Sequence, residues 1–246
     1  MSLRRVGILG GMGPEATVLL MRKVLDSVKA RDDADHIPLI VDQNPQVPSR
    51  IAFLIEKRGE DPAPVLAAMA RQLQDAGAEA LAMPCNTAHH FVPSICAATT
   101  VPFLDMVAAA TSKAVALVRG AGTVGILASP AVRKIGLFDR AFTGSGVTPL
   151  YATDEAATLA AIRQIKSGGD LDQARTALRQ ASQELLDRGA KVQMIACTEF
   201  SLIAEATAPG VRSFDTLDTL VGLITAFAQG AWIQGSGEQG PRHNGS

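Results

Sequence analysis

The sequence predicts an α/β protein with parallel strands, arranged as two similar halves. Short apolar runs alternate with longer stretches of helical periodicity along the chain, the pattern that parallel sheets with crossover helices produce. A faint repeat relates Val6-Gly7-Ile8-Leu9-Gly10 to Val124-Gly125-Ile126-Leu127-Ala128. Each of these runs is followed at a similar distance by a cysteine: 78 positions separate Gly7 from Cys85, and 72 separate Gly125 from Cys197. Two α/β lobes facing each other would give this pattern. Chance likeness between glycine-rich first strands is the plainer alternative, and the paired cysteines weigh against it.

Taken in order, strands are expected near 4–9, 37–42, 79–84, 101–105, 122–128, 147–152, 192–196 and 211–214. Helices are expected near 14–30, 62–76, 106–118, 154–167, 170–188 and 216–231. Asp61-Pro62 suits a helix start, because proline is favoured at the first helical position, and Gly77 suits its stop. The stretch from Gln234 is polar and glycine-rich. It buries no apolar surface and is expected to be a disordered tail over 234–246.

Composition narrows the function. At 246 residues, 47% hydrophobic and 19% charged, the chain is long enough for one large core or two smaller ones. Its formal net charge is -1, so no basic field argues for nucleic acid or an anionic membrane. Aromatic residues make up 4%, too few for a platform that stacks single-stranded bases. No apolar run approaches the roughly 18 residues of a membrane span, and Val6–Leu9 leads into glycines as a strand would, unlike a signal peptide. Three cysteines do not make a disulfide framework. The simplest expectation is a cytoplasmic protein with reduced thiols.

The glycine loop needs care. Gly11-Met12-Gly13-Pro14-Glu15-Ala16 matches the outline of a dinucleotide fingerprint, with Asp42 at the end of the second strand. Yet Pro14 removes an N–H from a loop that would need donors for a pyrophosphate. The simpler reading is a tight turn where a small ligand approaches the backbone.

Cys85 closes the run Ala80-Leu81-Ala82-Met83-Pro84, and Cys197 closes Val192-Gln193-Met194-Ile195-Ala196. Both read as buried strands that deliver a thiol to the strand's C-terminal end, with a helix starting just after. Open parallel sheets place ligand sites at that end. A helix N-terminus there would favour thiolate over thiol and hold a substrate carboxylate. If a substrate carbon sits between the two sulfurs, one thiolate removes a proton from one face while the other thiol donates to the opposite face. The planar carbanion between those steps requires fixed donors or cations. No metal-ligand spacing of the C-x-x-C or H-x-x-x-H type occurs, so neither metal nor cofactor is expected.

Four motifs in this order resemble the aspartate/glutamate racemase family, closest to its aspartate branch. They are Gly7 to Thr17, Asn44-Pro45-Gln46-Val47-Pro48-Ser49-Arg50, Met83 to His89, and Ala196-Cys197-Thr198-Glu199. The resemblance runs from about residue 4 to 231. It implies two similar flavodoxin-like α/β lobes with parallel sheets, pseudo-twofold related, with the active site between them. One lobe would take 1–105 plus 213–233, the other 106–212. It implies cofactor-independent racemisation by Cys85 and Cys197, and a homodimer. Arg50 matches an arginine that binds a substrate carboxylate, and Lys166 a second cationic contact, which suits a small anionic amino acid with two carboxylates. Asn86, Thr87 and Thr198 match residues that hold the α-carboxylate and amino group, and Met12 and Gln46 lie in matching loops near the ligand. Glutamate racemases carry histidine after the second Cys-Thr, where this chain has Glu199. That position either caps a helix or modulates Cys197. Ala196 replaces the glycine usual before the second cysteine.

Blander roles stand beside these. Buried cysteines are most often small core residues, and Cys96 is expected to be one. His89 and His90 are expected on a helix face. Arg50 at a helix start and Lys166 at a helix end would each be ordinary without a ligand. Two other activities remain open: a related two-cysteine isomerisation or racemisation of another acid, such as glutamate, maleate or a hydantoin, and a thiol redox or ligand-sensing role without turnover.

Overall fold

The computed structural model describes residues 2–232. The chain alternates strands and helices as β1 Val6–Gly10, α1 Pro14–Asp26, β2 Leu39–Gln43, α2 Arg50–Leu54, α3 Ala63–Asp75, β3 Ala80–Ala82, α4 Val92–Ala97, β4 Phe103–Leu104 and α5 Met106–Leu117. It continues with β5 Gly122–Leu127, α6 Pro130–Lys134, α7 Leu137–Ala141, β6 Val147–Tyr151, α8 Glu155–Lys166, α9 Leu171–Asp187, β7 Val192–Ile195, β8 Arg212–Asp215 and α10 Thr216–Ala228. The strands form two four-stranded sheets, ordered β2-β1-β3-β4 and β6-β5-β7-β8, and every pairing is parallel.

The inner strands β1, β3 and β7 are buried along their whole length, as central parallel strands flanked by helices require. In the first lobe, Val6 and Ile8 of β1 face α1 and α10, through Leu20, Leu217 and Ile224. Leu9 and Leu81 face the opposite side, against Leu66, Met69 and Leu73 of α3. The second lobe repeats this plan, with Val124 and Ile126 towards α5 and α7 and Leu127 and Ile195 towards α8 and α9.

The internal repeat has a packing cause. A Cβ on Gly7 would lie 2.8 Å from Ala78 Cβ and 3.1 Å from Leu73 Cβ. A Cβ on Gly125 would lie 2.9 Å from Gln193 Cγ and 3.2 Å from Leu185 Cδ1. In each lobe the third strand and the helix leading into it therefore close over a glycine in the first strand.

Two boundaries differ from expectation. β8 lies wholly in the second sheet, so the chain returns to the first lobe after Asp215 rather than at residue 213. Asp215 makes that turn by capping α10, its Oδ1 accepting from Leu217 N–H at 2.8 Å. Long helices do not begin directly after the cysteines. Short 3-10 turns stand there instead, at Thr87–Phe91 and Phe200–Ala206. In the first, Pro93 has no N–H to continue the ladder, so the turn and α4 stay separate. In the second, Ile203 breaks helical geometry at φ -132° and ψ 31°. The thiols thus lack the helix dipoles expected for them. The expected tail over 234–246, and residue 233, lie outside the described residues. Among the described residues no helix is long and apolar enough to cross a membrane.

Candidate active site

The glycine loop after β1 is a backbone contact. Gly11 has φ +90°, and a Cβ there would come within 2.3 Å of Asn44 C and 2.4 Å of Asn44 O. Its N–H donates to Thr17 Oγ1 at 2.9 Å. The loop after β1 and the loop after β2 are thereby pressed together, and the fingerprint is used up by the fold.

Arg50 opens α2, with Ser49 as the cap accepting from Ala52 N–H at 3.2 Å. Its Nη1 donates to Val47 O at 3.2 Å and Pro48 O at 3.0 Å. Those bonds hold one end of the guanidinium against its own loop, and Arg50 lines the cleft between lobes.

Cys85 follows β3 and Cys197 follows β7, each buried, at 7% and 6% exposure. β3 and β7 occupy equivalent places in the two sheets. Both cysteines line one cavity with Met12, Arg50, Thr87, Lys166 and Glu199. The Cys197 thiol donates to Glu199 Oε2 at 3.1 Å. Glu199 Oε1 forms an ion pair with Lys166 Nζ, also at 3.1 Å. Lys166 is the last residue of α8 and reaches in from the rim. Seven predicted site residues are thus brought together, and the choice left open for Glu199 resolves to contact with Cys197.

Charge follows from this geometry. Burial pushes the Cys197 thiol well above its ordinary range, and the Glu199 charge and hydrogen bond push the same way against Lys166. Cys197 therefore rests protonated. For Lys166, burial pulls down, but Glu199 and the two cysteines outweigh it, and the net shift is up. Lys166 stays an ammonium. The cavity thus presents two cations, Arg50 and Lys166, and one anion, Glu199.

Three predicted residues fall elsewhere. Gln46 is exposed, its backbone N–H bonded to Asn44 Oδ1 at 2.9 Å. Asn86 Nδ2 donates to Thr216 Oγ1 at 3.0 Å, and that hydroxyl donates to Ile195 O at 3.0 Å. Thr198 Oγ1 donates to Pro84 O at 3.1 Å. The side chains of Asn86 and Thr198 therefore tie the two cysteine loops to each other across the lobe boundary.

His89 is buried, with Nδ1 2.8 Å from Cys85 O. Burial lowers its pKa against the pull of Asp105, so the neutral ring donates to that carbonyl and supports the Cys85 turn. Cys96 is exposed on α4 rather than packed in the core. Ser129 was not anticipated. It lines the cavity and lies 3.3 Å from Thr87 through their hydroxyls. The repeat pointed to it, since Ser129 follows Ala128 as Gly11 follows Gly10. Among the described residues, no group of three His, Cys, Asp or Glu side chains gathers to hold a metal ion.

Two like lobes that each bring a cysteine from the third strand of the sheet to one cationic cleft define a two-lobed α/β protein with a paired-thiol site. The chain belongs to the Asp/Glu/hydantoin racemase family, whose model matches residues 9–224. It is 25% identical to the broad specificity amino-acid racemase RacX of Bacillus subtilis (strain 168), over 81% of this chain and 87% of that one. The solved aspartate racemase of Picrophilus torridus is also 25% identical and superposes with a TM-score of 0.80, over 91% of this chain and 94% of that one. A glutamate racemase from Francisella tularensis, solved with D-glutamate, shares the fold at a TM-score of 0.61 and 18% identity, over 95% and 85%.

Proposed function

We propose that this protein is a cofactor-independent amino-acid racemase that interconverts L- and D-aspartate by a two-base thiol mechanism. The observation that carries the proposal is the convergence of Cys85 and Cys197 on one cavity with Arg50 and Lys166. One thiolate removes the Cα proton, and the electron pair of the broken C–H bond stays on Cα, spread into the α-carboxylate. The thiol on the opposite face then gives its proton to Cα. Thiol and thiolate have exchanged places, and nothing is oxidised or reduced. Arg50 and Lys166 supply the positive charge that such an intermediate requires in a site shielded from water.

The test is formation of D-aspartate from L-aspartate, with solvent deuterium entering Cα, in enzyme given no cofactor. A second reading, turnover of a wider set of amino acids, is favoured by one feature. Beyond Arg50, Lys166 and Glu199 the cleft opens into a vestibule of about 210 Å³, walled by Gly13, Pro45 and Leu202. That is more room than an aspartate side chain needs. A panel of amino acids separates the readings: comparable kcat/KM values for long side chains favour the wider range.

Glu199 sets the protonation state of one base in this scheme. In Glu199→Gln the carboxylate that holds the Cys197 proton is gone, and Lys166 is left unpaired beside the sulfur. Both changes favour the thiolate. The pH at which Cys197 becomes alkylated by iodoacetamide, followed by peptide mass spectrometry, is therefore expected to fall by about one unit or more. An unchanged alkylation profile would show that Glu199 does not govern this thiol.

A further inference from the structure

Helix α2 serves two pockets. Arg50 and Ile51 line the cleft, and Phe53 and Leu54, one turn on, line a separate open pocket of about 500 Å³. The two have no lining residue in common. The remaining walls of the second pocket are Lys57, Gly59 and His90 from the same lobe, with Lys134 and Ile135 at the end of α6 in the other lobe. Its size falls in the range of sites that hold small organic ligands.

The floor is apolar and crosses the lobe boundary. Ile135 packs against the cluster that contains Leu54, Phe53 and Phe91, and also against the core of its own lobe. Phe53, Phe91 and His90 form a run of ring contacts, with centroids 6.1 and 5.0 Å apart. The rim is cationic. Nearby Arg58, Arg133 and Arg163 are each paired with Glu56 or Glu155, but Lys57 and Lys134 have no such partner among the described residues. Burial lowers the His90 pKa, and the Arg140 and Lys57 charges push it the same way against Asp61. The positive potential at the pocket is thus only partly compensated by the chain itself. Lys57 also sits at φ +53°, a left-handed conformation that a residue with a Cβ rarely adopts. Strained backbone of this kind collects at ligand clamps, and here the strained residue is one that brings charge to the pocket.

We propose that this pocket binds a small phosphate monoester that carries a flat apolar ring. The phosphate, largely a dianion at neutral pH, answers both Lys57 and Lys134, with the neutral His90 ring as a further donor. The ring covers the floor of Phe53, Leu54 and Ile135. A single carboxylate leaves one lysine unanswered, and inorganic phosphate leaves the apolar floor uncovered. The ligand touches both lobes and braces the end of α2 against α6. Arg50 begins that helix, so occupancy of this pocket bears on the placing of Arg50 in the cleft.

Isothermal titration calorimetry with phenyl phosphate, inorganic phosphate and benzyl alcohol tests this, and its readout is binding heat, independent of the racemase reading. Phenyl phosphate is expected to bind at least about tenfold tighter than inorganic phosphate, and benzyl alcohol not to bind. Lys57→Gln with Lys134→Gln, both at exposed positions, should weaken phenyl phosphate by more than about tenfold, with an unchanged circular dichroism spectrum. Lys29→Gln with Lys191→Gln, which removes the same charge elsewhere on the surface, should leave the affinity as it was. The His90 ring protons, followed by NMR, should titrate at higher pH with phenyl phosphate bound, because a nearby dianion favours the imidazolium. A wild-type chain that does not bind phenyl phosphate overturns the proposal, as does binding untouched by K57Q/K134Q. Binding that is lost in Lys166→Gln and kept in K57Q/K134Q overturns it too, by placing the anion in the cleft. Inorganic phosphate that binds as tightly as phenyl phosphate overturns the role given to the apolar floor.

Discussion

Replacing either Cys85 or Cys197 with alanine is expected to lower kcat/KM for aspartate racemisation by about 10²–10⁴-fold, the usual worth of one positioned acid or base. The two variants should also differ in kind. With one sulfur gone, the remaining thiolate can still take a proton from the face it touches, but no acid waits on the other side. The proton, or a deuteron after exchange with solvent, returns to the same face. Each single variant should therefore retain slow deuterium uptake without inversion, confined to one enantiomer and to opposite enantiomers in the two proteins. Both cysteines are buried beside apolar neighbours, Cys85 with Met83 and Phe91, and Cys197 with Phe200 and Ile203. Losing a single sulfur atom leaves a small void and an intact fold. Racemisation that survives in the double variant would end the two-base proposal.

Gly11→Ala is expected to be the most damaging single change outside the thiols. The added carbon meets three backbone atoms of Asn44, at 2.3, 2.4 and 2.7 Å, and none of them can rotate away. The φ of +90° adds strain of its own. Together these should cost about 2–4 kcal/mol, read as a fall in Tm of roughly 5–15 °C. The loop after β2 must retreat, and it carries the Val47 and Pro48 carbonyls that anchor Arg50. Gly13→Ala is the contrast. Its Cβ would meet only Glu199 Oε1, at 3.3 Å, and a side chain can shift. Stability should stay within about 0.5 kcal/mol. A Tm for Gly11→Ala equal to that of Gly13→Ala would refute the backbone-contact account of the loop.

Hydrophobic period and turn residues made most of the fold legible. The eight strands and the six long helices lie within a few residues of where the apolar runs and glycine stops put them. The short helices α2, α4, α6 and α7, of five or six residues each, were not legible, because one turn and a half carries no readable periodicity. The ends of the cysteine strands misled for a related reason. Small polar residues after an apolar run suit a helix start, but they equally suit a 3-10 turn whose side chains bond elsewhere. That ambiguity also explains Asn86 and Thr198: short polar groups beside a thiol look like ligand donors until their partners within the protein are seen. Arg50, Met12 and Glu199 were legible from motifs. Lys166 was legible only through resemblance, since nothing near the end of α8 signals that its ammonium turns inward.

The bond from Thr198 to Pro84, and the relay from Asn86 through Thr216 to Ile195, make the cleft a caliper with locked jaws. Each link runs from the residue beside one sulfur to the opposite lobe, in surroundings where an unmade hydrogen bond costs about 1–3 kcal/mol. The gap between the sulfurs is therefore a gauge, set before any substrate arrives. If the two thiols act as the proposed bases, a substrate is judged by its thickness at the reacting carbon, which the jaws cannot adjust. Its length along the vestibule is judged far more leniently.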